Sequence, residues 1–438
     1  MFKSLKPSQF LLFFFFAITL SGALLLYTPF AHKSGQEYAF IDSLFMATSA
    51  VCVTGLSVLD INASYSLFGQ IVLLILMSIG GLGYMTLATI IAAFLGKVSL
   101  KDKLIIKEVI DIESFEGIKY LLFRIFLITL IFETVGTVIL TFCFLSKMSL
   151  PQALYYGMFH SISAFNNCGL GLWSNSLEGF KDNYLVLTTV MVLIFSGGIG
   201  YIVINELSRI GRGRKLSTHS RIALSSSAIL ILAAALLIFI AEYSNYQTLG
   251  RLTFGEKILS SFFQAVAPRT AGFNSLPIGA MRELTLLLII YLMYVGASPG
   301  STGGGIKTTT FSILVAATWS VVRGRQDTNL MGSRISSEIV KKCMAISFLA
   351  LTALFVFSGV IFYIENFRFL DVVFEVTSAL GTVGFSTGIT PKLSTAGKAL
   401  ILSTMLIGRL GALTIGIAFL QRDEDIPYKF PEERVLIG

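Results

Sequence analysis

The stretch FEVTSALGTVGF, residues 374–385, decides how this chain folds, because three other stretches repeat its plan. They are FMATSAVCVTGL (45–56), FHSISAFNNCGL (159–170) and FFQAVAPRTAGF (262–273). In each, a phenylalanine (Phe45, Phe159, Phe262, Phe374) stands ten residues before a glycine (Gly55, Gly169, Gly272, Gly384) that Leu or Phe follows. Successive glycines lie 114, 103 and 112 residues apart, so each quarter of the chain carries one. Self-similarity at a fixed period marks a repeat architecture.

A second glycine set follows each of these stretches: IGGLGY (79–84), SGGIGY (196–201), VGASPG (295–300) and IGRLGA (407–412). Gly80, Gly197, Gly296 and Gly408 come 25, 28, 24 and 24 residues after the loop glycines. Each unit therefore reads as a span, a short apolar helix running into a glycine turn, and a second, glycine-containing span. A helix of about 10–12 residues is too short to cross a bilayer and suggests a re-entrant segment. Non-helical backbone at membrane depth survives only where protein or a water-filled cavity satisfies it, so four such turns converge most naturally on one axis. Glycine, free to take φ > 0, can turn successive carbonyls toward that axis, and a ring of carbonyls replacing a hydration shell is how K⁺-selective filters work. The alternative is four ordinary hairpins whose small residues let helices approach. For the glycines at 80, 83, 197, 200, 408 and 411, close helix packing is the reading their spacing supports.

Composition agrees with a polytopic membrane protein. Of the 438 residues 54% are apolar and 13% charged, against about 25% charged in an ordinary soluble protein. Mean hydropathy is +0.79. Eight candidate spans cover residues 9–29, 68–94, 120–145, 184–206, 221–241, 284–320 (interrupted at its glycines), 342–364 and 398–420. The first is too long for a signal peptide's apolar region and no A-x-A site follows it, so it reads as a retained span. The expected class is all-α: eight transmembrane helices and four re-entrant helices in four membrane–pore–membrane repeats, residues 1–96, 97–210, 211–325 and 326–438.

The net charge of +8 does not point to nucleic acid, because the basic residues collect in alternate connections: 96–119, 208–221 and 321–342. That bias places these connections and both termini in the cytoplasm. Glu108, Asp111, Glu113 and Glu116 alternate with lysines in the first of them, as in a solvated or partner-facing amphipathic helix. The first span and the second cytoplasmic connection face either a partner or membrane lipid. Cys52, Cys143, Cys168 and Cys343 have no C-x-x-C or Cys/His spacing, and His32, His160 and His219 stand apart, so no transition-metal site is indicated. His160 reads as a packing or hydrogen-bonding residue, and Asn205 and Glu206 as exposed at a cytoplasmic helix end.

One stretch, ASPGSTGGGIKTTT (297–310), imitates a phosphate-binding loop. Gly300 and Gly305 have the right separation, but Ile306 delays Lys307 by one residue, and apolar segments flank the stretch on both sides. It therefore reads as a break in the third unit's second span, leaving unpaired backbone groups at pore depth; a helix merely kinked at Pro299 is the alternative. Arg409 occupies the second-glycine position of the IGGLG pattern in the fourth unit. A mid-span charge costs at least about 2.5–3.5 kcal/mol, so it needs a partner: the carbonyls freed by the glycine break, or Glu133. Lys307 either joins that site or snorkels to cytoplasmic water.

The fourfold plan, one glycine per turn and the glycine-rich break resemble the Trk/Ktr/HKT superfamily of potassium transporters over essentially the whole chain. The compact length and the short tail PEERVLIG are most similar to a bacterial KtrB-type membrane subunit. The resemblance implies Na⁺-dependent K⁺ uptake across the bacterial cell membrane. It also implies a homodimer and a cytoplasmic KtrA-type (RCK) ring that carries the nucleotide and gates the pore. The implied filter is Val53, Thr54 and Gly55; Asn167, Cys168 and Gly169; Thr270, Ala271 and Gly272; Thr382, Val383 and Gly384. In this family serine in place of the first glycine goes with Na⁺ preference, so Gly55 implies K⁺. The implied intramembrane gate is Gly300, Ser301, Thr302, Gly303, Gly304, Gly305 and Lys307, with Arg409 beside it. A solute-coupled secondary transporter with broken helices is the competing function; a membrane NTPase or intramembrane protease has weaker motif support.

Overall fold

The computed structural model describes residues 7–33, 38–83, 118–210, 213, 215–411 and 433. Most of the first basic connection, including Glu108, Asp111, Glu113 and Glu116, lies outside the described residues, as do the 96/97 boundary, the ends of two expected spans (84–94 and 412–420) and nearly all of the C-terminal tail.

The described chain is almost entirely helical. The main helices are α1 (Pro7–Tyr27), α2 (Phe40–Val51), α3 (Leu67–Leu82), α4 (Ile118–Phe144), α5 (Leu150–Phe165), α6 (Tyr184–Ile199), α7 (Tyr201–Leu207), α8 (Thr218–Glu242), α9 (Phe254–Val266), α10 (Glu283–Tyr294), α11 (Thr308–Val322), α12 (Ser337–Ile364), α13 (Phe369–Leu380) and α14 (Thr395–Leu410). Side chains start several of them. Ser66, Asn183 and Ser394 accept from backbone amides at the heads of α3, α6 and α14, and Thr253 and Glu256 form a capping box on α9. These satisfy amides that a helix cannot pair internally.

Among the described residues three helices are long and apolar enough to cross a membrane: Phe123–Phe144, Thr218–Glu242 and Ser337–Ile364. Their outward faces stay apolar, with Phe142 74% and Phe348 70% exposed, as lipid-facing surfaces require. Among the described residues α3, α6 and α14 are shorter, and the reason is local. The helices α3, α6 and α14 stop at Gly83 (φ 73°), Gly200 (φ 100°) and Gly411 (φ 83°), conformations that favour glycine. Beyond Gly200 the chain resumes as α7 at 104° to α6. The expectation of uninterrupted second spans outside the third unit, with these glycines serving helix packing, is therefore corrected at Gly83, Gly200 and Gly411. Packing does hold for Gly80, Gly197 and Gly408, which lie so close to the carbonyls of Val51, Phe165 and Leu380 that a Cβ would strike them.

Two further differences concern the third and fourth quarters. Phe45, Phe159 and Phe374 are fully buried, but in the third quarter Phe263 fills that role and Phe262 is only partly buried. Pro268, which has no N–H to donate, lies just past the early end of α9 at Val266. The basic connection 321–342 also holds a small antiparallel hairpin, β1 (Thr328–Leu330) and β2 (Ser333–Ile335), an exception to the all-α expectation. Met331 and Gly332 both have φ > 0, as a two-residue hairpin turn demands.

The short helices are held in a cycle. The helices α2, α5 and α13 pack on the helix after them and α9 on α8 before it, and each also packs on the glycine-containing helix of the preceding quarter: α5 on α3, α9 on α6, α13 on α10, and α2 on α14. The apolar core follows the same arrangement, one cluster drawn mainly from the middle of the chain and the other mainly from its two ends. A largely buried ion pair, Lys398 Nζ to Asp42 Oδ1 at 2.6 Å, ties α14 to α2 and so joins the last quarter to the first. Lys398→Ala strands the Asp42 carboxylate and is expected to cost about 3 kcal/mol. A thermal unfolding series checks this: the single variant melts well below the parent, and Asp42→Asn added to Lys398→Met recovers most of the loss.

Candidate functional site

Each short helix ends in a loop whose backbone alternates in hand. Val53 (φ 54°) and Gly55 (88°) flank Thr54; Asn167 (57°) and Gly169 (79°) flank Cys168; Thr270 (69°) and Gly272 (67°) flank Ala271; Thr382 (49°) and Gly384 (94°) flank Val383. For the β-branched Val53, Thr270 and Thr382 a positive φ costs on the order of 1–3 kcal/mol each, and all three are fully buried. Strain of this kind persists only when the surroundings impose it.

Hydrogen bonds on the outer side of the loops impose it. The amides of Thr54, Cys168 and Val383 donate to the carbonyls of Ser49, Ser163 and Ser378, each at 2.8 Å, and Ala271 N donates to Ala267 O at 3.0 Å. Gly55 N and Gly384 N donate to the hydroxyls of Ser49 and Ser378 at 3.0 Å, and Ser163 Oγ donates to Leu170 O at 2.7 Å. The amides face the helices, which leaves the carbonyls for the other side. The carbonyl oxygens of Cys168, Ala271, Val383 and Thr54 lie against Gly55, Gly169, Gly272 and Gly384 in turn, closing a ring in which no glycine has room for a Cβ. Asn167 Nδ2 crosses to Arg269 O and Thr270 Oγ1, at 3.3 and 3.2 Å. The side-chain oxygens Thr54 Oγ1, Asn167 Oδ1 and Thr382 Oγ1 are buried and accept or donate no hydrogen bond among the described residues.

One side of the ring opens into a cavity of about 370 Å³ lined by the four glycines with Asp60, Asn274 and Ser386. Asn274 Nδ2 donates to Glu178 at 2.8 Å and holds two return loops together; burial there raises the Glu178 carboxyl above its ordinary range. Glu375, within α13, accepts from Ser386 Oγ, Thr387 N and Thr390 Oγ1 of another return loop. His160 sits among aromatic rings and its Nε2 accepts from Leu172 N at 3.3 Å.

The other side of the ring faces the glycine-rich stretch. It leaves α10 at Tyr294 and returns at α11, its ends joined by Gly296 N to Ile306 O at 2.8 Å and Thr308 N to Ala297 O at 3.2 Å. Pro299 thus lies in an excursion rather than a kinked helix. Gly303 abuts Thr270 Oγ1 and Gly304 abuts Thr382 Oγ1. The loop docks on the open end of α6: Ser298 N and Thr302 N donate to Gly198 O and Gly197 O, at 2.9 and 3.2 Å, while Tyr201 N donates to Gly300 O at 3.0 Å. Ser301 Oγ closes back on Ser298 O at 2.6 Å.

Two cations grip this loop. Lys307 Nζ donates to Gly303 O at 2.7 Å and reaches Gly304 O at 3.5 Å, so it turns inward rather than snorkelling to water. Arg409 donates to Thr302 O and to Gly80 O. The alternative pairing of Arg409 with Glu133 is not formed; Glu133 accepts instead from Asn166 Nδ2 at 2.7 Å. Asn205 and Glu206, expected to be exposed at a helix end, are half-buried: Asn205 accepts from Arg124, and Glu206 accepts from Ser217 N and Oγ at 3.0 Å. Sequence reasoning missed Ser49, Ser163 and Ser378, although each stands six residues before a loop glycine in the quoted stretches.

Comparison with known proteins places this architecture. Residues 2–425 match the TrkH family, described as a cation transport protein. The Ktr system potassium uptake protein B of Bacillus subtilis is 37% identical, covering 99% of this chain and 97% of that one. The potassium/sodium uptake protein NtpJ of Enterococcus hirae is 35% identical over 100% and 98%. Among solved structures, the potassium transporter TrkH from Vibrio parahaemolyticus superposes with a TM-score of 0.75 at 19% identity, covering 96% of this chain and 86% of that one. A chain matched over nearly its full length by this family, with apolar helices around a ring of carbonyls, is a membrane transporter and not an enzyme: it belongs to the TrkH family of cation transport proteins.

Proposed function

We propose that this chain takes up K⁺ across the bacterial cell membrane, with the four-loop ring as its selectivity filter. The observation that carries the reading is the closed cycle of carbonyls, from Thr54, Cys168, Ala271 and Val383, each against the next glycine. Oxygen rings of this kind replace a hydration shell, and the relatives are named for potassium or potassium/sodium uptake. The filter comprises Val53 to Gly55, Asn167 to Gly169, Thr270 to Gly272 and Thr382 to Gly384. It is built by four membrane–pore–membrane repeats, 1–96, 97–210, 211–325 and 326–438, with the basic connections and both termini in the cytoplasm.

The stretch Gly300 to Lys307 is the gate. It lies across the inner end of the ring, and Arg409 and Lys307 hold it there through its own carbonyls. The chain works as a homodimer under a cytoplasmic nucleotide-binding ring, and Na⁺ stimulates it; the nucleotide binds the regulatory partner. Opening then means exchanging the loop's bonds to α6, Arg409 and Lys307 for others.

K⁺ uptake and growth at low external K⁺, in a bacterial strain without its own uptake systems, test this reading. Wild type rescues growth. Gly384→Ser places a side chain against Thr54 O and Gly55 and lets Na⁺ compete; unchanged selectivity would remove Gly384 from the filter. Deleting Gly303 to Gly305 leaves flux high without the regulatory partner. Arg409→Gln removes a charged hydrogen bond of about 1.5–3 kcal/mol from the closed loop. Partner-independent flux is expected to rise by roughly 10- to 100-fold; unaltered flux would mean that Arg409 does not hold the loop.

A further inference from the structure

A second cavity lies away from the ring, between α8 and α11. It is a groove of about 380 Å³ walled by Ile229, Val315 and Trp319 and closed at one end by Leu330 of the hairpin and by Arg325. Three of the four serines in its walls already donate their hydroxyl protons within their own helices. Ser225, Ser226 and Ser312 donate to the carbonyls of Arg221, Ile222 and Thr308 at 2.7, 2.6 and 2.8 Å, so the walls act as apolar surface. The charged end is different. Arg323 lies over the Trp319 ring at 4.7 Å, and Arg325 lines the mouth beside it.

This mouth is built rather than loose. The hairpin is braced by Arg334 to Asp327 at 2.8 Å and fastened to the head of α8 by Thr218 Oγ1 and Ser333 Oγ at 2.9 Å. An occupant must therefore be apolar along most of its length and anionic at one end. Ile229, Val315 and Trp319 are each more than half exposed, so the groove is open sideways to the surrounding membrane. Basic pockets between membrane helices on the cytoplasmic side bind anionic lipid headgroups.

The geometry points to this groove as a binding site for an anionic phospholipid, with the phosphate on Arg323 and Arg325 and an acyl chain between α8 and α11. It rests on the membrane orientation proposed above, which puts this mouth at the cytoplasmic leaflet. The site also bears on the gate, because α11 starts at Thr308, the residue after Lys307. A chain lying between α8 and α11 presses on the helix that carries the glycine loop.

The test uses Trp319 as reporter. The protein has two tryptophans, so a Trp173→Phe background leaves only the one in the groove. The full chain is placed in nanodiscs of phosphatidylcholine containing a small fraction of either phosphatidylglycerol or phosphatidylcholine brominated on its acyl chains. Brominated phosphatidylglycerol is expected to quench Trp319 at a concentration on the order of tenfold lower than brominated phosphatidylcholine. Arg323→Gln with Arg325→Gln removes the preference, and Arg323→Lys with Arg325→Lys retains most of it. Equal quenching by the two lipids overturns the proposal, as does a preference that survives the glutamine pair. Failure of either lipid to quench also overturns it, since a second copy or a protein partner then covers the groove. Both leaflets of a nanodisc carry the same lipids, so these outcomes do not depend on orientation or on the K⁺ filter, which the uptake experiment tests separately.

Discussion

A peptide group inside a membrane must find its hydrogen-bond partner within the protein, and the ring of four loops is organised around that requirement. Each loop solves it by dividing its polar groups. Amides turn to the serine and alanine carbonyls of the preceding short helix, and carbonyls lie against the glycine of the neighbouring loop. This division forces the alternating backbone hand, and so the glycines. It also forces β-branched residues into positive φ at three positions, a cost met by complete burial. The cycle of helix contacts, each short helix wedged between its own quarter and the preceding one, is what keeps four strained loops in register.

The same requirement explains the inner face. Helices that stop at Gly83, Gly200 and Gly411 expose their last carbonyls at depth. The glycine loop uses those carbonyls as its dock on α6, and Arg409 uses Gly80 O as the second anchor of its guanidinium. Cations are favoured at helix C-termini, so Arg409 is placed where broken helices already supply negative potential. The loop is retained by directional bonds to backbone, which can be exchanged, rather than by bulky side chains wedged into a core.

The parts of this design that are visible in the sequence are those where only one residue type works. Four glycines with no room for a Cβ and a positive φ leave a mark at fixed spacing, and that mark carried the fold. The breaks at Gly83, Gly200 and Gly411 were misread because a glycine that ends a helix and a glycine that lets helices touch have the same pattern. Arg409 was recognisable from the cost of its charge, but its acceptors were not, since backbone carbonyls belong to no residue type. The hairpin escaped notice because strands of three residues show no periodicity. Phe262 misled because the count from Gly272 takes no account of Pro268, whose missing N–H accompanies an early end to α9.

Building the ring from one chain permits departures that four identical subunits could not make. Asn167 ties the second loop to the third through an amide that no other quarter has at that position. Among the described residues the long glycine excursion occurs once, in the third quarter, where the helices of the other three end at single glycines. Arg409 likewise stands alone where the first two quarters have Gly81 and Gly198. Gly81 has no room for a side chain, because Asn166 fills that space. Four arginines at this level would repel one another across a narrow axis, and four excursions would compete for one volume. Near-symmetry builds the oxygen ring, and broken symmetry sets beside it one loop held by one guanidinium and one lysine.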